Sequence, residues 1–400
     1  MKIENILIEH FPRLKCANFF ILFDQNFADV SSVRVHLRSM EIFVHFDNTH
    51  STTIDLELLN INIQINSLSL LIAKDNLISF RINTASSFRE EILPINVATT
   101  DVDTMKRLKL NVCTDMEFSI VCDNCSGPLT NLLRFRRILE LPSENMDSND
   151  WFCHKPDVRL CNGGNGSSSH HHQQLFNATS LIPNENDLLY GNFFALIHRS
   201  HIVNIHINSK HRMLHCKRCL SHIGECVSES AVKFWNGNVK FIQNIDAKIS
   251  NRLFHDSNSL FQNFLIIVDR LTYDYRMLGR QTLKLLFEAN TVKGTTFLFI
   301  QTMARNLELY QMNKQSNLNR ATMMRVDGIK CLFLSEENTD PTLVNFWQKD
   351  VNVISAYISI GMLDATVEHL HILSKYVPEQ FRINNGFCLS YLSKGIIINK

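Results

Sequence analysis

Two short turns constrain this chain more than anything else in it. The first reads Cys122-Asp-Asn-Cys125-Ser-Gly127, and the second Cys216-Lys-Arg-Cys219, with Gly224 five residues further on. Two residues between cysteines bring both sulfurs to one side of a tight turn, where they can share a metal ion. Together Cys122, Cys125, Cys216 and Cys219 supply the closed tetrahedral set of a structural zinc. Gly127 falls where such a turn tends to need positive φ. Two pairs of this kind usually lie about 15–20 residues apart; here residues 126–215 intervene, a stretch of 90. The expected zinc therefore clamps the base of a long excursion. Cys226 competes as a ligand, but the two-residue spacing favours Cys219.

The eleven cysteines are an odd number, and several stand alone among apolar residues. That pattern suits a reducing compartment and not a disulfide framework. A formal net charge of +1 provides no global field for nucleic acid or an acidic membrane. The start, Met1-Lys-Ile-Glu-Asn, lacks the pattern of a signal peptide, and runs such as Phe264–Val268 are too short to span a bilayer. No Gly-rich phosphate loop, Gly-x-Ser-x-Gly elbow or His-Glu-x-x-His helix occurs. These absences argue against a nucleotide enzyme or a serine hydrolase.

Four hundred residues are enough for two or three cores. Residues 1–117 read as a β-rich amino-terminal unit. Val33, Val35 and Leu37, then Ile42, Val44 and Phe46, alternate with mostly polar residues, as do Ile54, Leu56 and Leu58, and Ile61, Ile63 and Ile65. Period-two alternation gives one buried and one wet face. Residues 118–245 form the zinc-knuckle region. Strands are expected at Phe118–Val121, Leu132–Leu141, Tyr190–His198 and Ile202–Ile207, with a long loop over 142–189. Arg134, Arg136 and Arg137 read either as a wet strand face or as a small basic docking patch.

Residues 246–400 read as an α+β unit. Leu260, Phe261, Phe264, Ile267, Val268 and Leu271 recur at spacings of three and four, which predicts an amphipathic helix capped by Asp256 or Ser257. Further helices are expected at Thr342–Gln348, after Pro341, and at Ile360–Tyr376. The fold class is thus α+β, mostly antiparallel β, with a four-cysteine zinc-knuckle site and a few helices in the carboxyl half.

The long loop carries Trp151-Phe-Cys153-His154 and, after a Gly/Ser-rich stretch, the tract His170 to His172. Cys153 sits where a core cysteine is not expected. It reads as a nucleophile, as a soft ligand offered outward to a metal in another protein, or as a surface thiol with no role. The triple histidine reads as a metal ligand or as a low-complexity insertion.

With these segments in view, the chain resembles the HECT-like ubiquitin ligases that bind ubiquitin-conjugating enzymes. The resemblance rests on Cys122-x-x-Cys125-x-Gly127, Leu141-Pro-Ser-Glu-Asn145, Trp151-Phe-Cys-His154, Cys216-Lys-Arg-Cys219 and Leu343-Val-Asn-Phe-Trp-Gln-Lys-Asp350. It implies transfer of ubiquitin from a conjugating enzyme to protein substrates, cyclins among them, in the cytoplasm or also the nucleus. The conjugating-enzyme contact would fall on Asp256–Tyr273, with Leu260, Phe261 and Phe264 facing the partner; the same stripe reads equally as ordinary core packing, and both can hold for different faces. Trp151, Cys153 and His154 would dock into the metallo-β-lactamase endonuclease of messenger-RNA 3′-end processing, an alternative function that inhibits or chaperones it. A thioester route would need a free thiolate, for which Cys153, Cys331 and Cys388 are the candidates.

Overall fold

The computed structural model describes residues 2–46, 51–59, 61–85, 110, 112–141, 182–191, 193–208, 210, 212–243, 250–251, 253, 259–272, 275, 282–312, 323–336 and 340–393. Among these residues the architecture is mostly antiparallel β with few helices, arranged in four sheets. The largest has ten strands, and its backbone is the 19-residue strand Gly294–Met312. Met323–Glu336 pairs along one edge of that strand. The other edge is shared by Lys284–Thr291 at its start and Ile3–Phe11 at its end. Beyond Ile3–Phe11 the order continues through Cys16–Phe23, Leu77–Asn83 and Ser69–Lys74. Strands from the first and last stretches of the sequence thus build one sheet, across the boundaries expected at 117 and 245.

A seven-stranded sheet runs Arg137–Glu140, Asp187–Gly191, Phe194–His198, Ala231–Trp235, His222–Cys226, Met213–Cys216 and Ile205–Asn208. A four-stranded sheet pairs Val239–Gln243 with Glu117–Cys122, and a three-stranded sheet holds Arg34–Leu37, Glu41–His45 and Ser51–Asp55. The main core gathers Phe118, Ile120, Leu214 and Ile223 from the middle of the chain with Phe264, Leu285, Ile300, Met362 and Leu392 from its end. Hydrophobic burial is therefore continuous across the middle and carboxyl stretches.

Several local expectations shift. Tyr190–His198 is not one strand but two, Asp187–Gly191 and Phe194–His198, paired as a hairpin. Ile61 and Ile63 are buried, yet that run makes only an isolated bridge from Ile63 to Thr84. Its period of two reports burial without a ladder. The helix at 260 is capped by Ser259, whose hydroxyl accepts the Gln262 N–H at 3.1 Å, and not by Asp256 or Ser257. Proline opens the helix Pro341–Lys349 as expected, with Asp340 accepting the Thr342 N–H at 2.8 Å. Arg137 is held by Asp187 through two hydrogen bonds of 2.9 and 2.6 Å, so the strand-face reading suits it better than a docking patch.

One buried charge ties the two ends of the chain together. Glu9, in the first strand, is 0% exposed. Lys330 Nζ lies 2.7 Å from its Oε1, the Tyr391 hydroxyl donates to Oε1 at 2.6 Å, and Asn18 Nδ2 donates to Oε2 at 2.9 Å. A carboxylate in such a place is tolerated only when its lone pairs are occupied, and removing one partner of a buried pair costs about 3–5 kcal/mol. Lys330→Met is expected to lower the unfolding free energy by about that amount in a denaturant titration. An unchanged midpoint and slope would show that the cluster does not hold the ends together.

Candidate metal centre

Each cysteine turn is delivered by the end of a strand, Glu117–Cys122 for the first and Met213–Cys216 for the second. The two turns repeat one hydrogen-bond pattern. In the first, the Ser126 N–H donates to the Cys122 carbonyl at 2.9 Å, and the Cys122 N–H donates to the Gly127 carbonyl at 2.9 Å. In the second, the Leu220 N–H donates to the Cys216 carbonyl at 2.8 Å, and the Cys216 N–H to the Ser221 carbonyl at 3.0 Å. The residue after the second cysteine is left-handed in both, Ser126 with φ 54° and Leu220 with φ 59°. The positive φ expected at Gly127 is thus carried by its neighbour. Glycine at 127 supplies room instead: a Cβ there would meet Cys125 Sγ at 3.3 Å.

The paired turns bring their sulfurs together. Cys122 Sγ lies 3.6 Å from Cys219 Sγ, and Cys125 Sγ lies 3.6 Å from Cys216 Sγ. All four sulfurs fall within 4.8 Å of one another. A tetrahedral ion with metal–sulfur bonds of about 2.3 Å has sulfur–sulfur edges of about 3.8 Å. The four cysteines therefore fit a thiophilic dication, and Cys226 does not join the group. A hydrogen bond of 3.0 Å from Asn124 Nδ2 to Ser221 Oγ joins the two turns beside the sulfurs.

The thiols are electrostatically unequal. Burial pushes Cys122 up to about 12. The Ser221 hydroxyl, 3.2 Å from Cys219 Sγ, and the Ser221 backbone N–H hold Cys219 down to about 6. Cys125 feels a lowering backbone hydrogen bond from Gly127, but burial and its sulfur neighbours leave it raised. Four thiolates this close repel one another, and a bound dication removes that penalty.

The metal-free cluster at pH 7 should therefore release protons as it binds its ion. Cys122 and Cys125 are raised and each yield one, so the count is at least two. An indicator dye in weak buffer reads it. Because protons compete for the same sulfurs, affinity falls as pH falls. Metal uptake without proton release would exclude this ligand set.

The remaining expected site residues fare differently. Trp151, Cys153 and His154 lie outside the described residues, as do His170 to His172. On the helix Leu260–Leu271, Phe264 is 0% exposed and meets the Phe287 ring edge-on at 4.7 Å. Phe264 thus takes the core-packing reading of the stripe, while Leu260 and Phe261 stay partly exposed. Phe261 stacks on His369 with ring centres 3.5 Å apart, and Leu260 packs against Gly237. Cys331 is buried, with its thiol pushed up by burial, which removes it as a nucleophile. Spacing alone did not point to Ser221, although it stands five residues after Cys216, as Gly127 stands five after Cys122. Among the described residues no helix is long and apolar enough to cross a membrane.

Comparison with known proteins bears on this arrangement. Over 119 residues the chain is 29% identical to an E3 ubiquitin-protein ligase of Rattus norvegicus, a match covering 29% of this chain and 27% of that protein. The match thus spans about a quarter of the relative's length. No solved structure matches the chain. The model of one family, described as HECT-like ubiquitin-conjugating enzyme (E2)-binding, matches residues 9–389, from the strand that carries Glu9 to the strand that carries Tyr391. That reach takes in both cysteine turns and all four sheets, and the chain belongs to this HECT-like, E2-binding family.

Proposed function

We propose that this protein is a ubiquitin-protein ligase that binds a ubiquitin-conjugating enzyme and promotes transfer of ubiquitin to a protein substrate. The observation that carries this reading is the family match over residues 9–389, and the name of the rat relative agrees with it. In the same reading Cys122, Cys125, Cys216 and Cys219 hold a structural zinc, since four sulfurs close its coordination sphere and leave no position for substrate. The zinc keeps the two turns together, and the chemistry lies elsewhere.

Two routes of transfer differ in what they ask of the chain. A thioester route needs an accessible thiolate. Among the described residues the one thiol held well below its usual range is Cys219, and it belongs to the metal cluster. Cys153 is therefore the thiol to test. The other route needs no thiol: holding the charged conjugating enzyme and the acceptor together raises their effective concentration. A conjugating enzyme already charged with ubiquitin should discharge to an acceptor lysine about tenfold faster or more with this protein present, in single turnover. Cys153→Ala distinguishes the routes. Loss of a reducing-agent-sensitive ubiquitin adduct together with activity assigns the thioester to Cys153, whereas full activity assigns positioning. Failure to bind or discharge any of a panel of charged conjugating enzymes would sink the ligase reading.

A further inference from the structure

A row of histidines crosses the seven-stranded sheet on the face opposite the cysteine cluster. His206, His215 and His222 stand on three successive strands, Ile205–Asn208, Met213–Cys216 and His222–Cys226. The register sets them side by side: His206 pairs with His215, and His215 with His222 across a β-bulge that falls between Leu214 and His215. Direct cross-strand neighbours have Cβ atoms about 4.5–5.5 Å apart and project from one face. Their sequence neighbours on the other face, Ile205, Leu214, Cys216 and Ile223, are core residues. His215 is thus not a spare ligand of the cysteine site; alternation along the strand turns it away from Cys216.

Three observations at this row point to a ligand. The His215 and His222 rings lie 5.7 Å apart, centre to centre, at 53°. Two imidazoles on one dication, with metal–nitrogen bonds of about 2.0–2.1 Å, have ring centres about 5–5.5 Å apart. Both ring nitrogens of His222 are buried and lack a hydrogen-bond partner among the described residues. Buried polar atoms in that condition call for an occupant. The row also grades from exposed His206 to partly buried His215 and His222, which leaves a way in from solvent.

We propose that His206, His215 and His222 form a second metal site, which takes a borderline transition-metal dication such as zinc or nickel. Imidazole suits these ions, and a lone pair on each ring supplies the bond. Among the described residues the cysteines are the one set of three or more ligand-type side chains whose ligating atoms already lie within 4.8 Å of one another. The histidine set therefore closes by rotation of the exposed His206 toward the other two. Glu225, paired with Lys233 at 3.5 Å, is the carboxylate nearest in kind to a fourth ligand on this face. The site is independent of the proposed ligase function.

The test uses the full chain with its cysteine site loaded with zinc. His170, His171 and His172 are replaced by alanine, so that this tract cannot contribute. Equilibrium dialysis against nickel at micromolar free metal should then show one further ion per chain. Its affinity should fall about tenfold or more in His222→Ala and in His206→Ala. His206 is exposed, so the second variant should leave the thermal midpoint and the zinc content unchanged. A structural role for the row would move the midpoint without moving nickel uptake. The proposal is overturned if no further ion binds, or if the ion still binds in the His206→Ala, His215→Ala, His222→Ala triple variant.

Discussion

The four-sulfur contact is the constraint on which the middle of this molecule depends. It joins residues 97 apart, Cys122 with Cys219, and 91 apart, Cys125 with Cys216. Loop-closure entropy over such lengths opposes the contact, and so does the cost of ionising neighbouring buried thiols. A shared dication would offset both, because its binding energy is available only once the turns have met. Cys122 closes a strand of the four-stranded sheet and Cys216 a strand of the seven-stranded sheet. The cluster thus holds two sheets in register above one hydrophobic core, in which Cys122 and Cys216 are themselves buried.

A second long-range contact organises the remainder. Glu9 and Tyr391 are 382 residues apart and share a hydrogen bond inside the largest sheet. Its charge is matched by Lys330 and its remaining acceptor site by Asn18. Polar groups in a buried sheet confer specificity more than affinity, since few registers satisfy them all. The first strand can therefore meet Gly294–Met312 only where Glu9 finds those partners. The same sheet positions the inward face of the helix Leu260–Leu271, through Phe264 against Phe287. Phe264, Leu265, Ile267 and Val268 of that helix are consumed by packing, while Leu260 and Phe261 stay partly exposed.

Much of this was legible beforehand, for identifiable reasons. The cysteine turns have a spacing that little besides metal binding favours, and the structure brings all four sulfurs together. The carboxyl-half helices were legible from their apolar period and from Pro341, whereas the cap of Leu260–Leu271 was not, since Ser259 and not Asp256 or Ser257 fills it. The direction faced by an apolar stripe was not legible. Leu260, Phe261 and Phe264 carry the same periodicity whether they meet a partner or a core, and only the arrival of the helix Ile360–Ser374 and the strand Lys284–Thr291 decides which.

By itself the sequence determined the local geometry: β alternation in the first third, the two cysteine turns, the helix periods and the punctuation between them. Each of these follows from side-chain size, backbone freedom and hydrogen bonding over a few residues. Tertiary structure alone decided which distant elements meet. It put the first strand beside Gly294–Met312, set Glu9 against Lys330 and Tyr391, and aligned His206, His215 and His222 across three strands. Those pairings depend on register between segments far apart in the chain, and no property of a short stretch encodes its partner. The physical reason is that a strand's edge offers the same N–H and C=O groups to any neighbour, so selection falls to side chains that are seen together only once the sheet has formed.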